Sequence, residues 1–351
     1  MESAIPEQLR CTRTRPARAS SDYTPPYPAW VAQFTPTTTQ MVVGCFGVQC
    51  QGGRRKALKA IQPILDQLSL HHGPRHHDLA HHVDAEGYDT VIAMAYWDAI
   101  APFQQWRTRP DVDAWWQAPA RLDEGVGYFR EIFLPHVERF ETLFSTPDKF
   151  EGAALLASHL SDEIQEHGYW GGMRDRIPAS QNDGLAAGRA SADRPRPGHR
   201  VVVQGPDNVA LIRSGQDWGE TDGEERRLYL RSIEPVLGAG MDFLEQKGES
   251  VGCHYNRYMQ HIDREGDPIE KSFGLSLWRT LEHMERWSES HSTHLAIFGT
   301  FMQVVQQMNF QLKLRLYHEV SVIKAEEQHF EYVNCHPKTG FLRVGQAQET
   351  G

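Results

Sequence analysis

The chain has 351 residues, 40% of them hydrophobic and 10% aromatic, which suffices for a sizeable core and is too long for one small domain. Its formal net charge of −10, with no cluster of Lys or Arg, excludes a nucleic-acid partner, because phosphate binding needs such clusters. No apolar run approaches the ~18 residues of a membrane span, and Met1-Glu2-Ser3-Ala4 lacks a basic-then-apolar leader pattern, so no membrane partner and a cytoplasmic protein are expected.

Residues 1–38 are rich in Pro, Arg and Thr and include Tyr23-Thr24-Pro25-Pro26-Tyr27-Pro28, which predicts an extended arm lying across something, such as a neighbouring subunit. Residues 39–150 follow as a first folded half. Met41–Gln49 reads as a strand from its β-branched content, Ala57–Leu70 as a helix from its 3.6-residue spacing, and Tyr88–Trp97 as a second strand. Pro102–Trp116 reads as helical and Gly127–Leu134 as a third strand, while His136–Leu143 has no clear period. Between them, His71, His72, His76, His77, His81 and His82 form a dense imidazole cluster. Without a cysteine or carboxylate pair to close a tetrahedral set, a surface loop is the expected reading.

Residues 151–199 connect the halves, and 182–199, rich in Ala, Gly, Arg and Pro, read as a mobile surface loop. The second half, 200–351, repeats the order of the first. It has a strand region over Arg200–Arg213, a long helix over Glu220–Gln246, and strands over Gly252–Ile262 and Ser272–Trp278. Helices are expected over Leu281–Trp287 and Thr293–Met308, then strands over Leu312–Val322 and His329–Asn334. Two echoes suggest a duplication. Val91–Trp97 with Trp106 parallels Ser272–Trp278 with Trp287, and Tyr128-Phe129-Arg130-Glu131-Ile132 parallels Leu316-Tyr317-His318-Glu319-Val320. The predicted class is therefore α+β, two ferredoxin-like halves forming a fold like a dimeric α+β barrel.

Several residues carry possible chemistry. His294 opens a helical run and His318 sits inside a strand-like alternation, so the two imidazoles can face one apolar cavity from opposite sides, as in a haem pocket. From spacing alone, the plainer reading is a capping histidine and an unrelated sheet histidine. Arg176, two residues after Arg174, can point inward if the segment is extended and hold a carboxylate. Ser214 ends an apolar strand just before glycine, where a hydroxyl can meet a ligand oxygen, and no G-x-S-x-G elbow surrounds it. The five cysteines are an odd, scattered set that fits free thiols, and no C-x-x-C-H occurs, so any haem is bound noncovalently.

The segments Glu166-His167-Gly168-Tyr169-Trp170-Gly171, Met173-Arg174-Asp175-Arg176, Ala210–Trp218, Thr293-His294-Leu295 and Leu314–Val320 resemble those of bacterial haem-containing aldoxime dehydratases. So do Met1–Ile5, Phe140-Glu141-Thr142-Leu143 and Glu331–Pro337, so the resemblance covers nearly the whole chain. It implies a lyase that converts R-CH=N-OH to a nitrile with haem b, the aldoxime binding the ferrous iron through nitrogen. It also implies His294 as proximal iron ligand, with His291 as runner-up, and His318 as the distal acid–base group. Ser214 is implied as hydrogen-bond donor to the substrate, Arg176 and Glu141 as groups that orient the distal site, and a homodimer as the assembly. The alternatives are a haem peroxidase of a related α+β barrel and a noncatalytic haem-binding or sensor protein.

Overall fold

The computed structural model describes residues 1–188 and 199–344; residues 189–198 of the expected 182–199 loop lie outside the described residues. In chain order the elements are β1 (Ala32–Gln33), β2 (Val42–Cys50), α1 (Arg54–Leu68), β3 (His76–Val83), β4 (Asp89–Trp97), α2 (Ile100–Arg107), α3 (Pro110–Gln117), β5 (Gly127–Phe133), β6 (Phe140–Phe144), β7 (His159–Leu160) and α4 (Gly172–Arg176). The second half carries β8 (Arg200–Val203), β9 (Val209–Asp217), α5 (Gly223–Leu228), α6 (Glu234–Lys247), β10 (Cys253–Ile262), β11 (Pro268–Trp278), α7 (Leu281–Ser290), α8 (Ser292–Gln307), β12 (Arg315–Ile323) and β13 (Gln328–Val333).

Eleven strands form one antiparallel sheet in the order β6-β12-β9-β11-β10-β3-β4-β2-β5-β13-β8. Within it, β3-β4-β2-β5 and β10-β11-β9-β12 each have the strand order of a ferredoxin-like unit, and the units join edge to edge through β10 and β3. The predicted class therefore holds. Each half also lends a strand to the other: β6 pairs with β12, and β13 with β5. Chain length then forces curvature. In a flat sheet, β5 and β6 would lie roughly 38 Å apart at ~4.8 Å per strand, yet the seven steps from Phe133 to Phe140 span at most about 25 Å. The sheet must curl until its two ends approach, as in a barrel.

Alternation along the strands sorts side chains to two faces. Cys45, Met94, Phe129, Tyr255, Phe273 and Phe330 fill the concave interior. Phe46 and Trp97 point outward beneath α1–α3 and meet Trp106 of α2 and Trp116 of α3, and Ala210, Trp278 and Val320 pack outward beneath α6 and α7. Buried charges also cross the interior. Glu131, fully buried, accepts from Arg257 Nη1 and Nη2 at 2.7 Å each, from Tyr255 at 2.9 Å and from Tyr332 at 2.7 Å.

The sequence-based boundaries differ from these elements for identifiable reasons. The helical region 102–116 breaks at Thr108-Arg109 because Pro110 opens a new helix there. The helix expected over 220–246 passes through a π-helical turn, Tyr229–Ile233, between α5 and α6. The region 200–213 is two strands that flank a turn at Asn208, whose φ is +61°. The histidine cluster is not a surface loop: His76–Val83 is β3, the strand that joins the two halves, and only residues 71–75 form a turn before it. Its histidines find partners within the sheet, His76 with Asp78 and His81 with Asp89, both at 2.9 Å.

The arm does lie across something, namely its own chain. Tyr23 Oη donates to the His167 carbonyl at 3.1 Å, and the Tyr23 and Tyr169 rings meet edge-on at 4.9 Å.

Glu131→Ala leaves the Arg257 guanidinium buried without its counter-charge, a change that costs about 3–5 kcal/mol. Denaturant unfolding should report that loss, and Glu131→Ala combined with Arg257→Met should recover most of it. A single variant as stable as the wild type would show that the pair contributes nothing.

Candidate functional site

The site begins with register. β12 and β9 pair so that His318 stands directly opposite Ser214, and Glu319 opposite Arg213. Successive side chains alternate, so His318 and Ser214 share the outward face while Glu319 and Arg213 point inward. On the other side of β12, β6 sets Leu143 opposite His318 and Glu141 opposite Val320. Glu141 is thus a diagonal neighbour of His318 on the same face.

Arg176 completes the group from α4. This segment is helical rather than extended, and both of its arginines are engaged: Arg174 grips Glu285, with Nη2 to Oε2 at 2.6 Å, and Arg176 faces the site. The Arg176 fork donates from Nε to Glu141 Oε2 at 2.6 Å and from Nη1 to the Glu166 carbonyl at 2.8 Å. Its Nη2 lies 2.9 Å from His318 Nε2, which is also 3.0 Å from Glu141 Oε1. Arginine can only donate, so neutral His318 accepts at Nε2 from Arg176, whereas protonated Nε2 turns to Glu141. His318 Nδ1 makes no hydrogen bond to the protein among the described residues.

Electrostatics follow from burial and neighbours. Burial alone would push the Glu141 carboxyl up, but Arg176 and then His318 outweigh it and hold the group below its ordinary value of 4.5. His167 lies behind Arg176, 1% exposed, with both ring nitrogens buried and without a hydrogen bond of normal geometry among the described residues. Burial first, then Arg176, pushes it down to about 4, so it is a neutral imidazole. The sequence offered a signal for it only in the Gly-aromatic-Arg segment that contains it.

His294 comes from the first turn of α8. His291 caps that helix, accepting from the Thr293 amide and meeting Thr293 Oγ1 at 2.9 Å, and its ring lies 4.5 Å from that of Phe243. His294 is not so engaged. Its ring sits 4.8 Å from Trp287 and 5.7 Å from Trp170, with Nδ1 buried and lacking a hydrogen bond of normal geometry. Burial lowers its pKa, with the Ser288 backbone partly opposing, so the imidazole is neutral and its lone pair free for a metal.

The surroundings suit a large flat apolar group. Leu295 and Phe298 of α8 and Trp170 beside them are about two-fifths exposed, and the Trp170 and Phe298 rings are 5.3 Å apart. The outward face of the second half carries two separate apolar clusters, one with Val320, Met241 and Trp287 and one with Trp218, Tyr229 and Val304. On β12, Leu316 packs against the second and Val320 belongs to the first, so His318 lies between them; α8 spans both through Ile297 and Phe301. A neutral imidazole, uncovered aromatic surface and a break in the packed layer fit haem, whose binding without thioethers depends on an axial ligand and apolar burial.

Comparison with known proteins agrees. Residues 44–341 match the family model of haem-containing dehydratases. The chain belongs to this family. It is 48% identical to the aliphatic aldoxime dehydratase of Rhodococcus globerulus over 98% of both chains. The crystal structure of an aldoxime dehydratase superimposes with a TM-score of 0.92 at 47% identity, covering 98% of each chain. Another, in complex with butyraldoxime, gives 0.93 at 46% identity, covering 98% of this chain and 96% of that one. This haem-containing dehydratase is thus an enzyme of the lyase class, and the five residues singled out in its sequence come from five elements: His294 from α8, and His318 of β12 with Ser214 of β9, Glu141 of β6 and Arg176 of α4 grouped around it.

His294→Ala should lose haem, read as Soret absorbance per protein. His291→Ala should keep it while losing a helix cap, which is worth ~0.5–2 kcal/mol. The opposite pattern would move the ligand by one helical turn. A second expectation concerns acid. Because the folded Glu141 pKa is depressed, its stabilisation is fully present above 4.5 and is lost as pH falls through the lower folded value. The stability gap between wild type and Glu141→Gln should therefore shrink as pH falls below 4.5; a gap independent of pH would refute the ionised pair.

Proposed function

We propose that this haem-containing dehydratase converts aldoximes, R-CH=N-OH, to nitriles and water, with haem b held by His294 and working in the ferrous state. The observation that carries the reading is the His318 imidazole, with Nε2 held between Glu141 and Arg176 and directly opposite the Ser214 hydroxyl. Its similarity to aliphatic aldoxime dehydratases of Rhodococcus supports the substrate class. When bound, haem supplies an iron to take the oxime nitrogen and the electron density that N–O cleavage demands.

The chain's own residues do the rest. Ser214 donates to the oxime oxygen and fixes its direction. Hydroxide is a poor leaving group, so His318 delivers a proton to that oxygen as the N–O bond breaks, and water departs. With Nε2 engaged by Glu141 and Arg176, the proton moves at Nδ1. The ionised Glu141 stabilises the imidazolium before transfer, and Arg176 keeps Glu141 ionised and the ring in place. The imidazole, now neutral, takes the proton on carbon and completes the nitrile. One proton is lent and one recovered, so the site returns to its starting charge. The assembly proposed with this reading is a homodimer in the cytoplasm, to be checked by sedimentation.

Anaerobically reduced protein mixed with an aliphatic aldoxime should yield the nitrile. Peroxide-driven dye oxidation without nitrile would instead favour a peroxidase. His318→Ala should keep haem and still give a bound-substrate spectrum, while losing the ~10²–10⁴-fold in kcat that general acid catalysis contributes. Turnover near that of the wild type would place the acid elsewhere. Ser214→Ala should fall less, through a disordered substrate pose.

A further inference from the structure

Residues 2–4 are fastened to the segment that precedes Arg176. The Glu2 amide donates to the Glu163 carbonyl at 2.8 Å, and the Gln165 amide donates to the Glu2 carbonyl at 3.0 Å. Glu166 closes this junction. Its Oε1 accepts from Ser3 Oγ and its Oε2 from the Ala4 amide, each at 2.8 Å, while its own carbonyl accepts from Arg176 Nη1 at 2.8 Å. One residue therefore holds the arm with its side chain and the distal arginine with its backbone.

Packing does not do the same task. A cavity of about 170 Å³ lies under the arm, with Glu141 and Arg176 on its inner wall and Ala4, Pro6 and Leu9 on its outer wall. Its lining is mostly apolar, with Val31, Phe34 and Phe140 among it, and it leaves a gap rather than close side-chain contacts on that side. On that side the Arg176 fork is restrained by hydrogen bonds instead of by close-packed atoms. Of its three partners, Glu141 and His318 belong to the distal group itself, so the Glu166 carbonyl is the fixed point outside it. If the carbonyl shifts, the fork pivots about its Nε–Glu141 bond and Nη2 leaves His318.

We propose that Glu166 is a positioning residue of the distal site, through which the amino-terminal residues Ser3 and Ala4 set the place of Arg176 against His318. The consequence for turnover rests on the function proposed above; the consequence for geometry does not. Arg176 positions the acid rather than binding the bulk of the substrate, so misplacing it lowers kcat with little effect on KM. A 1 Å misplacement costs up to ~10²-fold, and a pivot held at one end should cost less.

The test uses the haem-loaded full chain. Glu166→Ala should lower kcat by about five- to twentyfold, with KM and Soret absorbance per protein unchanged. Glu166→Gln, which keeps an amide oxygen for the Ala4 amide, should restore most of the activity. On an Arg176→Ala background the Glu166→Ala change should cost nothing further, because the two act through one contact. A crystal structure of Glu166→Ala should show Nη2 displaced from His318 Nε2. If that structure keeps the Arg176–His318 contact, or if the two substitutions are additive, Glu166 is merely structural and the proposal fails. If the wild type forms no nitrile, the dehydratase reading fails instead, and the crystal structure of the variant still decides the positioning role.

Discussion

The pairing register of β9 and β12 is the constraint on which the site depends. It places Ser214 opposite His318 on the outer face and Arg213 opposite Glu319 on the inner face. A slip of one residue would exchange the faces, burying the imidazole in the barrel and turning the carboxylate toward the helices. The inner face resists that slip. Arg213 donates to Tyr96 Oη and to Asp78 at 2.6 Å each, and Tyr96 in turn donates to Glu319 at 2.6 Å. Tyr96 and Asp78 belong to the first half, on β4 and β3. The interior charges are costly to bury, and what they specify is which residues of the second half face outward toward the helices.

Duplication lets the outward faces of the two halves be compared position by position. Arg130 and Glu131 on β5 occupy the places that His318 and Glu319 occupy on β12, and Phe46 stands opposite Arg130 as Ser214 stands opposite His318. In the first half, Phe46 is surrounded by Trp97, Trp106 and Trp116, and the Arg130 guanidinium lies 4.9 Å over the Trp116 ring while bonded to Glu331. Aromatic packing fills that layer completely. In the second half a hydroxyl replaces the phenyl ring, and the apolar layer divides into two clusters. The same backbone supports one continuous apolar cluster on one side and two separate ones on the other because of which side chains occupy a few outward positions.

Much of this was legible in the sequence. Strands such as 42–50 and 253–262 are rich in β-branched and aromatic residues, and α1 has a clean helical period, so propensity and tertiary context agree there. The echo of 128–132 in 316–320 disclosed the duplication because the two segments are the same strand of two like units. β3 was not legible: its histidines and aspartates look solvated, and only partners across the sheet, such as Asp89 for His81, make an extended strand satisfactory. Nor was β6, a five-residue strand without period that is held by β12 from the other half. Of the five candidate site residues, His318 and Ser214 could be placed by their strands, whereas the joining of Glu141 to Arg176 is a contact between segments 35 residues apart that no local pattern specifies.

The position of β6 at the end of the sheet also accounts for the arm. An edge strand presents unpaired backbone groups and, here, a carboxylate that must stay dry enough to act strongly on its neighbours. The ferredoxin-like units contain nothing to cover it. Cover comes from outside them: Trp30 pairs with Phe144, the Ala32 amide donates to Thr142 Oγ1 at 2.8 Å, and β1 pairs with β7. The connecting segment then brings Arg176 to the exposed flank of Glu141. Two of the three groups placed at the His318 imidazole, Glu141 and Arg176, therefore lie outside both repeated units, on added chain that supplies a buried, charged hydrogen-bond partner. A site at the seam between a duplicated scaffold and its added segments has a consequence for variation. The strands fix where the His318 imidazole points, and the added segments can tune its charge environment while the two repeated units stay as they are.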